Sequence, residues 1–133
     1  MTHLLDTNVC IQVMRGVGRV HAKMEQRPRD SFALSVVSYF ELVVGVRKAA
    51  RSAEEDARLQ RLLAAIPRLD FGEHAADEAA DIRAHLEAKG RGIGPFDTLI
   101  AGHARSLGLV LVTGNTDEFS RVPRLEIEDW TKA

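Results

Sequence analysis

Short, continuously apolar segments alternate with helical segments along this chain, and this alternation constrains the fold more than any other feature. The clearest apolar segments are residues 4–5, 32–37 and 109–112. Uninterrupted apolar strands of this kind are typical of parallel sheets that are covered on both faces. The pattern predicts a single α/β domain over residues 1–133, in which helices flank a parallel sheet as an α/β/α sandwich.

The segments between the apolar runs have the periodicity and the end signals of helices. Helices are predicted at residues 9–15, 19–26, 38–50, 54–66, 75–88 and 96–107. Thr7 or Asn8 is expected to cap the first of them. Weaker patterns at residues 69–71 and 125–127 predict two further strands, the second at the edge of the sheet, where Trp130 closes the domain.

Composition narrows the class of protein. No apolar run approaches the about 20 residues of a membrane helix, and no leader is evident, so we expect a cytoplasmic protein without a membrane partner. The single cysteine, Cys10, cannot form an internal disulfide and is expected to be a small core residue. The net charge of −1 argues against general nucleic-acid binding, but residues 15–51 carry eight basic and three acidic side chains, which suits a polyanionic substrate.

Acidic residues follow the apolar segments at places that a parallel sheet would bring together. Asp6 directly follows the first segment, Glu41 lies early in the helix after the second, and Asp97 lies in the first turn of a later helix. The carboxyl ends of parallel strands share one edge of the sheet, where Asp6, Ser38 and Thr113 are expected. Converging carboxylates need a neutralising cation, and oxygen ligands suit Mg²⁺ or Mn²⁺. We therefore predict a metal-dependent enzyme acting on phosphate esters, with Asp6, Glu41 and Asp97 as its catalytic and metal-binding residues.

Each of these acids also has a structural explanation. Asp6 could cap the helix that follows it. Ser38 and Glu41 have the spacing of a capping box, in which the glutamate reaches back to the cap amide. The carboxylate of Asp97 would be favoured by the dipole at the start of its helix. The functional interpretation therefore depends on the joint placement of the three acids.

The sequence lacks the motifs of several other enzyme classes. It contains neither a Gly-x-x-x-x-Gly-Lys phosphate loop nor a Gly-x-Ser-x-Gly nucleophile elbow. The histidines lack zinc-ligand spacing, and only His3, three residues before Asp6, lies near a predicted site residue. Two alternatives stay open: a non-catalytic module that binds RNA or protein, and a metal-dependent phosphatase for small substrates.

Four motifs, in order, resemble those of the PIN-domain nucleases. They are Leu-Leu-Asp-Thr-Asn, Ser-x-x-Glu-Leu, Gly-Pro-Phe-Asp-Thr-Leu-Ile-Ala-Gly-His-Ala and Leu-Val-Thr-Gly-Asn-Thr-Asp-Glu-Phe. The resemblance covers residues 4–130, and within the family it is strongest to the VapC toxins of type II toxin–antitoxin modules. It implies an endoribonuclease that uses Mg²⁺, with Mn²⁺ as a substitute, and that hydrolyses RNA phosphodiester bonds. It also implies a homodimer inhibited by a cognate VapB-like antitoxin. The Gly-Pro-Phe-Asp form is similar to VapC toxins that cut initiator tRNA in its anticodon stem-loop.

The resemblance also implies roles for individual residues. Asp6 and Asp97 match the principal metal-binding aspartates of the family, and Glu41 matches its glutamate, which binds metal or orients the water. Thr113 and Asn115 match the Thr-x-Asn/Asp turn of the family. Many members carry an aspartate at the position of Asn115, so the identity of the fourth acid is open in this chain.

Two acids close to this turn compete for the fourth position. If the turn opens a short helix, residues three apart share one face. Asn115 and Glu118 are therefore predicted to support the site through water, whereas Asp117 is predicted to face solvent.

Other residues are assigned to the surroundings of the site. Asn8, Ser38 and Thr113 are predicted to support it, and Arg91, in the glycine-rich loop 90–95, is predicted to contact an RNA phosphate. An antitoxin is expected to lay an apolar helix on the first two helices of the chain and to direct an Arg or Lys into the acidic crevice.

Overall fold

The computed structural model describes residues 1–132, which contain one sheet of five strands. The strands are β1 (His3–Leu5), β2 (Phe32–Ser35), β3 (Arg68–Leu69), β4 (Val110–Val112) and β5 (Ile127–Glu128). Their order across the sheet is β3-β2-β1-β4-β5, and every neighbouring pair runs parallel. The predicted parallel sheet is confirmed, with its earliest strand at the centre.

Helices cover both faces of this sheet. They are α1 (Thr7–Met14), α2 (Gly18–Glu25), α3 (Val36–Lys48), α4 (Ser52–Ala65), α5 (Glu73–Ala88), α6 (Pro95–Leu107) and α7 (Thr116–Phe119), with one 3-10 turn, Arg29–Ser31, before β2. None of the helices within residues 1–132 combines the length and the apolar character needed to span a bilayer.

Alternate residues of the three central strands point into opposite layers, as the pleat of a strand requires. The side chains that pack with α1 to α4 are Leu5, Leu34 and Val112. The side chains that pack with α5, α6 and α7 are Leu4, Ala33 and Leu111. Both faces of these strands are buried, which explains why they are continuously apolar in sequence and confirms the α/β/α sandwich.

The second strand is shorter than predicted. β2 ends at Ser35 rather than at residue 37, because the Ser35 hydroxyl accepts a hydrogen bond of 3.0 Å from the Val37 amide and caps α3. The cap overrides the strand preference of Val36 and Val37. The helix therefore begins at Val36 rather than at the predicted residue 38, and the alternative explanation of Ser38 and Glu41 as a capping box does not hold.

The first helix also begins earlier than predicted. Asp6 caps it, since its Oδ1 atom accepts a hydrogen bond of 2.8 Å from the Val9 amide. The prediction that Thr7 or Asn8 would be the cap is wrong, because both already lie within α1. Cys10, in the same helix, is fully buried, and burial raises the pKa of its thiol, as expected for a core residue.

Helices α5 and α6 cross at very short range. A Cβ atom built on Gly102 would lie 2.5 Å from the backbone nitrogen of Ala79 and 2.6 Å from its Cα. Real Cβ atoms do not approach backbone so closely, so only glycine permits this crossing. The crossing seats α6 against the sheet and thereby positions the start of α6, which carries Asp97.

Candidate active site

Asp6 lies at the carboxyl end of the central strand and is held from two sides. Its amide donates to the Val112 carbonyl at 3.0 Å, and its carboxylate caps α1 through the Val9 amide. The residue is only 5% exposed. Burial raises the pKa of the Asp6 carboxyl, while the Thr113 side chain and the Val9 amide oppose that rise. A carboxylate has about four lone-pair sites, so capping leaves Asp6 able to bind a further partner.

Asp97 lies in the first turn of α6 and is close to three other acids. Burial raises the pKa of Asp97 from the usual 3.8 to about 6, and the negative charges of Glu118, Asp6 and Glu41 add to that rise. Hydrogen bonding with Glu118 further favours the protonated form. The fold thus brings Asp6, Glu41, Asp97 and Glu118 into one electrostatic cluster, which we call the acidic cluster.

Glu41 is oriented by a residue from another helix. The Thr7 hydroxyl donates to Glu41 Oε1 at 2.7 Å and lies 3.0 Å from the hydroxyl of Ser38, which is fully buried. These contacts tie the first turns of α1 and α3 together beside Asp6. Sequence reasoning assigned Thr7 no place in the site; its position directly after Asp6 in the Asp-Thr-Asn motif was the available signal.

The turn after β4 places the two candidate fourth acids differently. The predicted short helix is present as α7, and the Asn115 amide donates to the Thr113 hydroxyl at 2.9 Å. Glu118 is partly buried and raises the pKa of Asp97, whereas Asp117 is exposed. The structure therefore brings Glu118 to the acidic cluster and turns Asp117 to solvent.

A cavity of about 490 Å³ opens between α1 and the turn after β4. Its polar lining includes Asn8, Gln12, Arg15 and Asn115. Asn8 and Asn115 thus share a polar recess, whose lining includes none of the four acids of the acidic cluster. Arg91 is exposed in the loop between α5 and α6, and no salt bridge within residues 1–132 connects it to the acidic cluster.

The donor chemistry of the acidic cluster suits a hydrated divalent cation. Within residues 1–132, no three His, Cys, Asp or Glu side chains are arranged to hold a metal ion directly among themselves. Mg²⁺ does not need such a cage, because it usually keeps several waters and binds through one or two carboxylates. A cation would also neutralise the repulsion that raises the pKa of Asp97. The residues present therefore fit Mg²⁺ or Mn²⁺, and the individual ligands stay a prediction.

The buried histidines belong to the packing of the domain. His3 contacts the rings of Phe32 and Trp130, and its Nε2 atom lies 3.3 Å from Glu128. His103 Nδ1 lies 2.8 Å from the Ser35 hydroxyl, and burial lowers the pKa of this imidazole. Their partners lie outside the acidic cluster.

Comparisons with known proteins agree over nearly the whole chain. The family model described as the PIN domain matches residues 3–125. A tRNA(fMet)-specific endonuclease VapC of Shigella flexneri is 38% identical over 128 residues, which are 96% of this chain and 97% of that protein.

Two solved structures superpose closely on the fold. The structure of VapBC2 from Rickettsia felis, bound to a DNA fragment from their promoter, gives a TM-score of 0.92 at 31% identity, over 98% of this chain and 99% of that one. DNA-bound VapBC from Salmonella typhimurium gives 0.91 at 35% identity, over 98% of each chain.

Proposed function

The chain belongs to the PIN-domain family, and from this membership we propose that it is a VapC-type toxin, an endoribonuclease that hydrolyses RNA phosphodiester bonds. The observation that carries the proposal is the acidic cluster, in which burial and the negative charges of the three other acids raise the pKa of Asp97 to about 6. Such an arrangement costs stability in a protein that binds no cation. It is the arrangement that phosphoryl-transfer chemistry uses.

Ribonucleases of this family generally depend on a divalent metal. We propose Mg²⁺ as the ion, with Mn²⁺ able to substitute, held by Asp6, Asp97 and Glu41. When bound, the ion supplies a water of lowered pKa and neutralises charge on the transferring phosphoryl group. Glu118 and Asn115 support the site through water.

The protein's own groups supply positioning and proton transfer. The strand end and the helix cap hold Asp6 in one orientation, so it needs no reorganisation when substrate binds. Thr7 holds the Glu41 carboxylate in place, where it binds the ion either directly or through the attacking water that it aligns and deprotonates. The 2′-hydroxyl takes no part in this reaction, so the products carry a 5′-phosphate and a 3′-hydroxyl.

Substrate and partner are proposed from the relatives. Because the Shigella relative is named for tRNA(fMet), we propose initiator tRNA as the substrate, cut in its anticodon stem-loop, with Arg91 contacting a phosphate. Because the superposed structures are VapBC complexes, we propose a VapB-like antitoxin as the inhibitor of a homodimeric toxin.

A groove between α1, α2 and α4 can receive an apolar antitoxin helix. Val13, Met24 and Leu62 contribute to its lining, and Arg58 and Arg61 add positive charge. We therefore propose that the antitoxin lies on α1 and α2. Of two valines on this side, Val13 lines the groove, whereas Val17 packs against the core. Failure to co-purify with the antitoxin of its own operon would contradict the partnership.

The function is tested by cleavage of defined substrates. The purified protein is incubated with initiator tRNA in Mg²⁺ or Mn²⁺, with excess EDTA as the control, and the product ends are identified. We expect metal-dependent cleavage that leaves a 5′-phosphate. A 2′,3′-cyclic phosphate would contradict the mechanism, and hydrolysis of a chromogenic phosphate monoester without RNA cleavage would support the phosphatase alternative.

The two acids in the turn after β4, Glu118 and Asp117, are predicted to differ in their importance for cleavage. Glu118→Gln is expected to lower Mg²⁺ affinity or turnover by about 10- to 100-fold, the usual effect of losing a group that supports a metal ligand. Asp117→Asn, at the exposed neighbouring position, serves as the matched control and is expected to change little. Cleavage rates measured across a Mg²⁺ titration compare the two. The reverse ranking would show that Asp117, not Glu118, serves the site.

A buried thiol one helical turn from Asp6 leads to a second prediction. Cys10→Ala is expected to leave cleavage within about 3-fold of wild type, because burial raises the pKa of the thiol and keeps it protonated. The measurement is the cleavage rate of a variant whose circular dichroism matches wild type. A complete loss of activity in such a folded variant would give Cys10 a chemical role.

A further inference from the structure

Two exposed phenylalanines directly precede two members of the acidic cluster. Phe40 comes immediately before Glu41 on α3, and Phe96 immediately before Asp97 on α6. Their side chains are 52% and 41% exposed, yet their ring centroids lie 5.5 Å apart, at an interplanar angle of 43°. The fold thus places a pair of solvent-facing aromatic rings beside the acids, although the two residues are far apart in sequence.

Core packing does not account for this pair. Val44 is also exposed, and it lies one helical turn after Phe40 on the same face of α3. We call Phe40, Val44 and Phe96 the aromatic patch. Large apolar side chains that face solvent together, at the rim of a polar site, mark a contact surface more often than a packing defect.

We propose that the aromatic patch is a stacking platform for an unpaired nucleobase next to the scissile phosphate. This proposal rests on the proposed ribonuclease function and deepens it. Single-stranded and loop RNA is recognised chiefly by stacking splayed bases on aromatic rings. The rings of Phe40 and Phe96 are tilted rather than stacked on each other, which leaves ring surface available. Each ring is one residue along its helix from an acid of the cluster, so a base that stacks there would bring its phosphate close to the acidic cluster.

Charge on the same helix face favours RNA as the occupant. Arg47 is exposed and lies seven residues after Phe40, so α3 presents Phe40, Val44 and Arg47 along one stripe. Stacking rings with an adjacent guanidinium are the combination that binds single-stranded nucleic acid. A second copy of the chain is the competing occupant, and the experiment below distinguishes it by the oligomeric state of the variants.

The test separates aromatic stacking from hydrophobicity. Phe40→Leu and Phe96→Leu keep an apolar side chain, whereas Phe40→Trp and Phe96→Trp keep an aromatic ring. On an RNA stem-loop that the wild-type enzyme cleaves, we expect the Leu variants to lose about 10- to 100-fold in kcat/KM, mainly through KM, and the Trp variants to stay close to wild type. Leu107→Ala removes a side chain of similar exposure at the far end of α6 and is expected to have no effect.

Abasic substrates complete the experiment. Removing the base on one side of the cleaved bond should slow the wild-type enzyme by a similar factor, and the Leu variants should be insensitive to the same removal. Equal losses in the Leu and Trp variants, or Leu variants that keep wild-type KM, would overturn the proposal. Leu variants that become monomeric while staying sensitive to the abasic substrate would make the patch a self-association surface instead. A wild-type enzyme that cleaves no RNA would overturn the ribonuclease proposal itself, a result distinct from all of these.

Discussion

Asp97→Asn is expected to reduce RNA cleavage by about 1,000-fold or more, and Asp6→Asn to have an effect of the same size. Each substitution removes a negative charge from the proposed cation site, and charge stabilisation by a bound metal is worth several kcal/mol in phosphoryl transfer. Cleavage of initiator tRNA and toxicity on expression are the measurements. If either variant cleaves at the wild-type rate in saturating Mg²⁺, the assignment of that residue to the metal is wrong.

The same Asp97→Asn substitution is expected to stabilise the metal-free fold. The pKa of Asp97 is about 6 in the folded protein, against the usual 3.8, so ionisation of this carboxyl opposes folding above pH 6. Allowing for solvent screening, the gain at pH 8 should be about 1–2 kcal/mol in the free energy of unfolding. The gain should shrink as the pH falls from about 6 towards 4 and vanish only below the usual pKa of 3.8, where Asp97 is protonated in both states.

Thermal denaturation in EDTA across this pH range measures the effect. Asp117→Asn, which removes an exposed charge outside the acidic cluster, is the control and should change the melting temperature little. A variant at position 97 that melts lower than wild type at pH 8 would show that Asp97 stabilises the fold, contrary to the electrostatics described.

The second large effect is expected for Gly102→Ala, which should lower the free energy of unfolding by about 3 kcal/mol. The added methyl would lie within 2.6 Å of the backbone of Ala79, and backbone cannot move aside as a flexible side chain can, so α5 and α6 must separate. Because this crossing positions the start of α6, metal-dependent cleavage should fall together with the melting temperature.

Gly45→Ala is the matched control for that substitution. Gly45 also lies within a helix, but a Cβ built there meets nothing within 4 Å. Alanine at this position should therefore stabilise the protein by about 0.5–1 kcal/mol, through helix propensity alone. Equal melting temperatures for the two variants would mean that the α5–α6 crossing tolerates a wider spacing than the structure shows.

Local sequence patterns determined the fold class and the positions of the principal acids. The apolar runs, such as residues 109–112, predict strands covered on both faces, and the all-parallel sheet follows from their alternation with helices. Asp6 and Asp97 were found because each stands at a recognisable boundary, a strand end or a helix start. Such boundaries depend on neighbouring residues, so a single sequence reveals them.

Tertiary contacts decided the features that sequence patterns left open or predicted wrongly. Ser35 rather than Ser38 caps α3, although both fit a cap by type, because β2 pairs with β3 as far as Ser35 and the helix begins directly after it. Thr7 orients Glu41 only because β1 and β2 are adjacent, which places the starts of α1 and α3 side by side.

The contacts between helices also depend on parts of the chain that are far apart in sequence. Position 102 needs glycine, and the rings of Phe40 and Phe96 meet, because helices from distant parts of the chain approach each other. The sequence by itself therefore determined which elements form and where their chemical groups stand along the chain. Only the packed structure decided which of those groups touch, because a contact between residues far apart depends on the positions of all the elements between them.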